Sequence, residues 1–275
     1  MKDRISVIIP THNRSAVLLR AVHSVLNQSY QNIELIVIDD GSTDDTEMVL
    51  APFVAANSVH YYKTENAGVA AARNYGVSLA TGQWIAFLDS DDEWISQKLT
   101  EQMNFLSKHP HLLIVYTDET WIRNDVQVNK KNHHQKKSGW IFADCLKQCF
   151  IGPSSVLLSK KLFQEMKGFD ESFQVCEDYD LWIKISAKYE IGFIEQSLIK
   201  KYGGYADQLS TRFFAMDSWR IKAMLNLLRD QTLTEDQKKE VIETIKSKGS
   251  ILLKGYIKHG NQKTAQELEL LLAAL

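Results

Sequence analysis

Trp84-Ile85-Ala86-Phe87-Leu88-Asp89-Ser90-Asp91-Asp92 is an apolar run of strand length that stops abruptly on three carboxylates within four residues. A run of this kind bounded by polar residues reads as a buried strand. Its acids then stand at the carboxyl edge of a sheet, where open α/β sheets bind ligands. Carboxylates this close repel one another and raise each other's pKa unless a cation sits between them. Hard oxygen ligands suit Mg²⁺ or Mn²⁺. The competing reading is an acidic turn in which Asp92 caps a helix beginning near Glu93.

Working outward, strand-like and helix-like segments alternate through the first half, which predicts an α/β fold with a mostly parallel sheet covered by helices. Ile5–Pro10, Ile33–Ile38, Val59–Lys63, the run before Asp89 and Leu112–Thr117 read as strands. Ser15–Gln28, Asp44–Ala56 (disturbed at Pro52), Gly68–Ala80 and Lys98–Lys108 read as helices. Right-handed crossovers bring the ends of parallel strands to one rim. Three further polar motifs therefore converge near the acids. Pro10-Thr11-His12-Asn13-Arg14 opens a helix whose backbone N–H groups can face an anion. In Asp39-Asp40-Gly41-Ser42-Thr43-Asp44-Asp45-Thr46 an early acid can accept hydrogen bonds from a base or ribose, while Ser42 or Thr43 caps. The small residues of Asn66-Ala67-Gly68-Val69-Ala70-Ala71-Ala72-Arg73-Asn74 allow close helix packing or approach of a ligand.

The 275 residues, 44% of them hydrophobic, are enough for one large or two small domains with a real core. A formal net charge of −2 gives no general reason to expect nucleic acid. Cys145, Cys149 and Cys176 show no Cys-x-x-Cys spacing, and the N-terminus lacks a basic n-region and an apolar h-region, which predicts a cytoplasmic location. No apolar run approaches the ~20 residues that span a bilayer, so any membrane contact is expected to be peripheral, at the inner face. There is no dinucleotide fingerprint and no Gly-Lys-Ser/Thr phosphate loop, which argues against dehydrogenases and P-loop enzymes.

Val7–Arg14, Asp39–Thr46, Asn66–Asn74 and Phe87–Trp94, in that order and spacing, resemble family 2 glycosyltransferases of GT-A fold. The resemblance is densest over residues 4–118 and continues more loosely to 212. It implies a nucleotide-sugar-binding half (1–118), an acceptor-binding half (119–212) and a helical C-terminal region (213–275). It places Pro10, Thr11, His12 and Asn13 around the nucleoside, Asp40 near the base, and Gly68 and Arg73 at the donor. Arg73 reads equally as an exposed helix residue. Asp89-Ser90-Asp91 matches the family's Asp-x-Asp element, with Asp91 as direct metal ligand and Asp89 nearer the ribose or behind the metal.

In the second half, Cys176-Glu177-Asp178-Tyr179-Asp180-Leu181-Trp182 resembles the Glu-Asp element of the same family. That resemblance makes Asp178 the general base and Glu177 a residue that orients the acceptor or the base; the alternative is that these acids favour a helix N-terminus. Trp140 and Trp182 are candidates to stack on a sugar face, against core packing. Gly152-Pro153-Ser154-Ser155 is placed at the acceptor cleft. The glycine-bearing segment Lys201–Ser210 reads as a loop that closes on the donor. Tyr205 stands where related chains often carry a histidine, with Asp207 a candidate third metal ligand. Asn129–Lys137 reads as a solvated basic loop or hairpin tip, or as a contact for an anionic lipid surface. His133 and His134 are assigned no metal, and Cys145 and Cys149, four apart on an expected helix, read as packing residues. Phe214–Arg229, Thr234–Lys248, Ile251–His259 and Lys263–Leu272 read as helices whose apolar faces need a partner: the catalytic domain, a second copy in a homodimer, or another protein.

The expected reaction is metal-dependent transfer of a hexose-type sugar from a nucleotide diphosphate, UDP by preference, to a glycan or lipid-linked acceptor hydroxyl in cell-surface glycan synthesis. The resemblance implies inversion by single displacement. Two alternatives remain at this stage: a sugar nucleotidyltransferase, and a degenerate, non-catalytic binding or assembly module.

Overall fold

The computed structural model describes residues 3–124, 126–128, 136–204 and 215–275. The first half reads β1 (Ile5–Thr11), α1 (Ser15–Leu26), β2 (Ile33–Asp39), α2 (Thr46–Ala55), β3 (His60–Lys63), α3 (Val69–Leu79), β4 (Trp84–Phe87), β5 (Glu93–Trp94) and α4 (Lys98–Lys108). Then follow β6 (Ile114–Arg123), β7 (Val126–Val128), α5 (Phe142–Lys147), β8 (Val156–Ser159), α6 (Lys160–Glu165), α7 (Glu177–Ser186), β9 (Gly192–Gly203), α8 (Met216–Leu228), α9 (Glu235–Lys258) and α10 (Gln262–Ala273).

Among the described residues the strands form one sheet in the order β3-β2-β1-β4-β8-β6-β9-β5, with β7 beside β6. The first four are parallel, as the alternating pattern requires, and β8 enters antiparallel between β4 and β6. Side chains alternate across a strand, and both faces here are dry. Val7 and Ile9 of β1 pack with Leu18, Val22 and Leu99, whereas Ile8 packs on the opposite face with the cluster around Phe87 and Trp182.

Several segments differ from the expectations. Glu93–Trp94 is a strand paired with β9, so Asp92 caps no helix. The α2 helix runs through Pro52. Lys201–Gly203 belongs to β9 rather than to a loop, and β9 itself was not anticipated. Residues 205–210 of that loop, including Tyr205 and Asp207, lie outside the described residues, as do His133, His134 and most of the basic run. Cys149 lies beyond the end of α5.

The two helices expected over 234–248 and 251–259 are one, α9, opened by a capping box between Thr234 and Gln237. Its Gly249 is a contact, because a Cβ there would stand 2.6 Å from Leu272 Cδ2 of α10. Val241, Ile245, Leu252, Leu268 and Leu271 pack into the cluster that holds Trp182, so the apolar faces of these helices are covered by one another and by the α/β body. Ile251, Ile257 and Leu270 stay exposed. Among the described residues no helix is long and apolar enough to cross a membrane.

Gly76 sets how closely α3 approaches the sheet. A Cβ on it would lie 2.5 Å from Ile8 Cγ2 and 3.3 Å from Ile38 Cγ1. Gly76→Ala should therefore destabilise the protein by about 1–3 kcal/mol in urea unfolding, although alanine is the better helix former. A stabilised variant would show that α3 has room to move off β1.

Candidate active site

Parallel registry delivers the motifs to one rim. Thr11 stands opposite Asp39, and the Leu88 amide bonds to the Ile8 carbonyl at 3.0 Å just before the acids begin. A cleft of about 740 Å³ opens there, within the usual range for small-molecule sites. It is lined by Pro10–Arg14, Asp40, Gly68, Arg73 and Asp89–Asp92 from the first half of the chain and by Pro153, Cys176–Asp178, Lys201 and Tyr202 from the second.

At one end the first two motifs are laced together. His12 Nδ1 lies 2.7 Å from the Asp40 carbonyl oxygen. Asn13, at φ +53°, accepts from the Thr43 amide at 2.8 Å, and its own amide donates to Ser42 Oγ at 2.8 Å. Ser42 and Thr43 therefore tie this loop to α1 instead of capping α2. The buried Asp40 carboxylate accepts from the amides of Ala67 (2.7 Å) and Gly68 (2.9 Å), holding the third loop against the second. Gly68, at φ +95°, adopts a backbone conformation that favours glycine. Thr11 lines the cleft, while its Oγ1 is buried with no hydrogen-bond partner among the described residues.

The acids line the same cleft. Arg73, 3% exposed, donates to Asp89 Oδ1 at 2.7 Å and to Glu177 Oε1 at 2.6 Å, which excludes the exposed-helix reading. Burial opposes its charge, but Asp89 and Glu177 raise its pKa. Asp91 faces Arg14 at 3.6 Å, and its carbonyl accepts from Arg20, whose guanidinium lies 3.6 Å over the Tyr202 ring. Ser90 is buried. Burial pushes Asp92 well above the usual carboxylate range against the pull of Lys201, and Asp89 and Asp91 push it further. Two aspartates two residues apart suit a hard divalent cation, which is commonly held by one or two carboxylates together with substrate phosphates. Among the described residues no third His, Cys, Asp or Glu completes a set.

Across the cleft, Cys176 at φ +64° precedes α7 and turns its first residues to the cavity. Asp178 is half-buried, with the exposed Cys149 thiol 3.4 Å from its Oδ2. Glu177 is pushed up to about 7 by burial and by Asp178. Arg73 pulls the other way, but it is one cation facing Asp89, Glu177 and Asp178. Trp182 is corrected as an acceptor residue: it is 1% exposed and packs edge-on to Phe169, so it presents no face to a sugar. Trp140 is 66% exposed but outside the cleft, and Asp180 is buried against Lys184.

Arg20 was missed, while Arg14, Lys201 and Tyr202 stood within segments expected at the donor without being singled out as site residues. The last two follow from the missed β9, whose signal was the apolar pair Leu198-Ile199 after Gly192–Ile194.

Residues 6–166 match the family model described as glycosyl transferase family 2, a stretch that contains Asp40 and Asp89–Asp92 and stops before Glu177. An uncharacterised glycosyltransferase of Rickettsia conorii is 37% identical over 72% of this chain and 32% of its own length, so the chain spans about a third of that relative. The Escherichia coli UDP-Glc:α-D-GlcNAc-diphosphoundecaprenol β-1,3-glucosyltransferase WfgD is 34% identical over 76% of this chain and 81% of its own. Staphylococcus aureus TarS 1–349 in complex with UDP-GlcNAc has the same fold, with a TM-score of 0.72 at 17% identity over 92% of this chain and 72% of that one. A mannosyltransferase of Pyrobaculum calidifontis, solved with GDP-Man and Mn²⁺, gives 0.62 at 15% identity over 100% and 87%. The fold is GT-A, and the chain belongs to glycosyl transferase family 2.

Proposed function

We propose that this protein transfers a sugar from a nucleoside diphosphate, UDP by preference, to an acceptor hydroxyl with inversion, in the synthesis of a cell-surface glycan. The observation that carries this reading is the shared cleft: Asp178 opens onto the same cavity as Asp89 and Asp91, and Arg73 joins the two sides. The name of the E. coli relative supports a UDP-sugar donor and a lipid-linked acceptor. An acceptor of that kind would bring the protein to a membrane surface as a peripheral visitor.

Asp91, with Asp89 beside it, would hold a divalent cation, Mn²⁺ or Mg²⁺. When bound, such an ion supplies positive charge to the leaving diphosphate. Pro10–Asn13 and Asp40 surround the nucleoside. Asp178 takes the acceptor's proton as its oxygen bonds to the anomeric carbon and the carbon–oxygen bond to the diphosphate breaks. The electron pair of that bond leaves with the nucleotide, and no covalent enzyme intermediate forms. Glu177, fastened to Arg73, keeps the first turn of α7 aimed at the cleft.

Asp178→Asn should lower transfer by about a hundredfold or more while leaving UDP affinity nearly intact; joint loss of both would assign Asp178 to binding. UDP with Mn²⁺ should raise the wild-type melting temperature by roughly 5–10 °C at about a hundredfold excess over Kd. Asp91→Ala should lose the metal-dependent part of that rise, and a wild type unmoved by any nucleoside diphosphate would refute the donor assignment. Because the folded state binds the Glu177 proton more tightly than the unfolded chain does, this group's contribution to stability falls as pH rises from 4.5 to about 7. Glu177→Gln should remove that decline from urea midpoints measured across the window; an unchanged slope would place the titration elsewhere.

A further inference from the structure

Ser154 is 4% exposed in the short 3₁₀ turn Pro153–Ser155, whose proline lines the cleft. Its hydroxyl donates to Asp92 Oδ2 at 2.7 Å and accepts from the Asp89 amide at 3.1 Å. One side chain therefore holds both ends of the four-residue acidic loop. The second Asp92 oxygen accepts from the Tyr202 amide of β9 at 3.2 Å. The turn is itself fixed from beneath. Trp94 Nε1 donates to the Ser154 carbonyl at 2.8 Å, and Gln102 Nε2 donates to the Ser155 carbonyl at 3.0 Å. Gln102 Oε1 in turn accepts from Lys98 Nζ at 2.8 Å, and that fully buried nitrogen lies 4.0 Å from the Trp94 ring centroid.

We propose that Ser154 is a positioning residue for the donor site, acting through Asp92 and the Asp89 backbone to hold Asp89 and Asp91 at a set spacing; this rests on the donor-site reading above. Packing alone does not require an oxygen here. An alanine would leave the Asp89 amide without its acceptor and the buried Asp92 carboxylate with one donor fewer. Groups behind a metal-binding pair commonly affect its affinity by about 10–100-fold, and Ser154 ties the loop that carries that pair to the turn before β8.

The test compares wild type, Ser154→Ala and Ser154→Thr by calorimetric titration of UDP with and without Mn²⁺, and by hydrogen exchange at the Asp89 amide. Ser154→Ala should weaken Mn²⁺-dependent UDP binding by about tenfold, change metal-free binding less, and speed exchange at Asp89; Ser154→Thr, which keeps the hydroxyl, should restore all three. Wild-type affinity and exchange in Ser154→Ala, or a threonine variant no better than the alanine one, would overturn the inference. A wild type that binds no nucleoside diphosphate would overturn the donor-site reading instead, while exchange at Asp89 would still decide whether Ser154 holds the loop.

Discussion

A single buried cation, Arg73, connects the two halves of the cleft. Its guanidinium reaches Asp89 on one side and Glu177 on the other, at distances that leave no room for water between them. An arginine suits this place because its planar fork bonds two carboxylates in different directions and stays charged when dry. Such an assembly is a weak source of net stability, since desolvation offsets much of the attraction, but removal of one member strands the others and costs about 3–5 kcal/mol. The arrangement therefore favours a defined geometry: a shift of α7 relative to β4 would break a buried ion pair.

That constraint matters because the motifs come from distant parts of the chain. Parallel strands put the Pro10, Asp39 and Asp89 loops on one rim as a consequence of topology, and the dry packing of both sheet faces fixes their heights. Topology gives no such guarantee for α7, which enters after the antiparallel β8 and the short α6. Side-chain chemistry makes the connection instead, through Arg73 to Glu177 and through Asn74 to Phe169 in the segment that leads to α7.

The first half was legible because β1, β2 and β4 are buried almost throughout and α1 carries an apolar stripe, so period and order survive in the residues, even though the edge strand β3 is largely exposed. The acidic cluster was legible as chemistry, but the role of Asp92 was not: a carboxylate before Glu93-Trp94 resembles a helix cap until β9 is seen to pair with those residues. The β9 strand was hidden because it interleaves Glu195, Lys200 and Lys201 with apolar residues and ends on two glycines, which read as a loop. Arg73 was ambiguous for a related reason. An arginine on a helix of small residues is an ordinary solvent-facing residue unless carboxylates arrive from outside the local sequence, and Glu177 lies 104 positions away. Trp182 misled in the opposite sense, since an aromatic beside the Glu-Asp element suggests a sugar platform, whereas its place on α7 turns it into the core.

The neighbours Glu177 and Asp178 take different parts because their surroundings differ. Glu177 is 6% exposed and held at 2.6 Å by a guanidinium, so its carboxylate is committed to Arg73. Asp178, one residue on, is half-buried at the cavity wall and bonds only its own helix's Tyr179 amide and the Cys149 thiol among the described residues. A base must reach a substrate proton, and a carboxylate shared with a buried arginine cannot turn toward one without breaking that pair. The left-handed turn at Cys176 starts the helix with both side chains at the cavity, where Arg73 fastens Glu177, and Asp178 is the more exposed of the two.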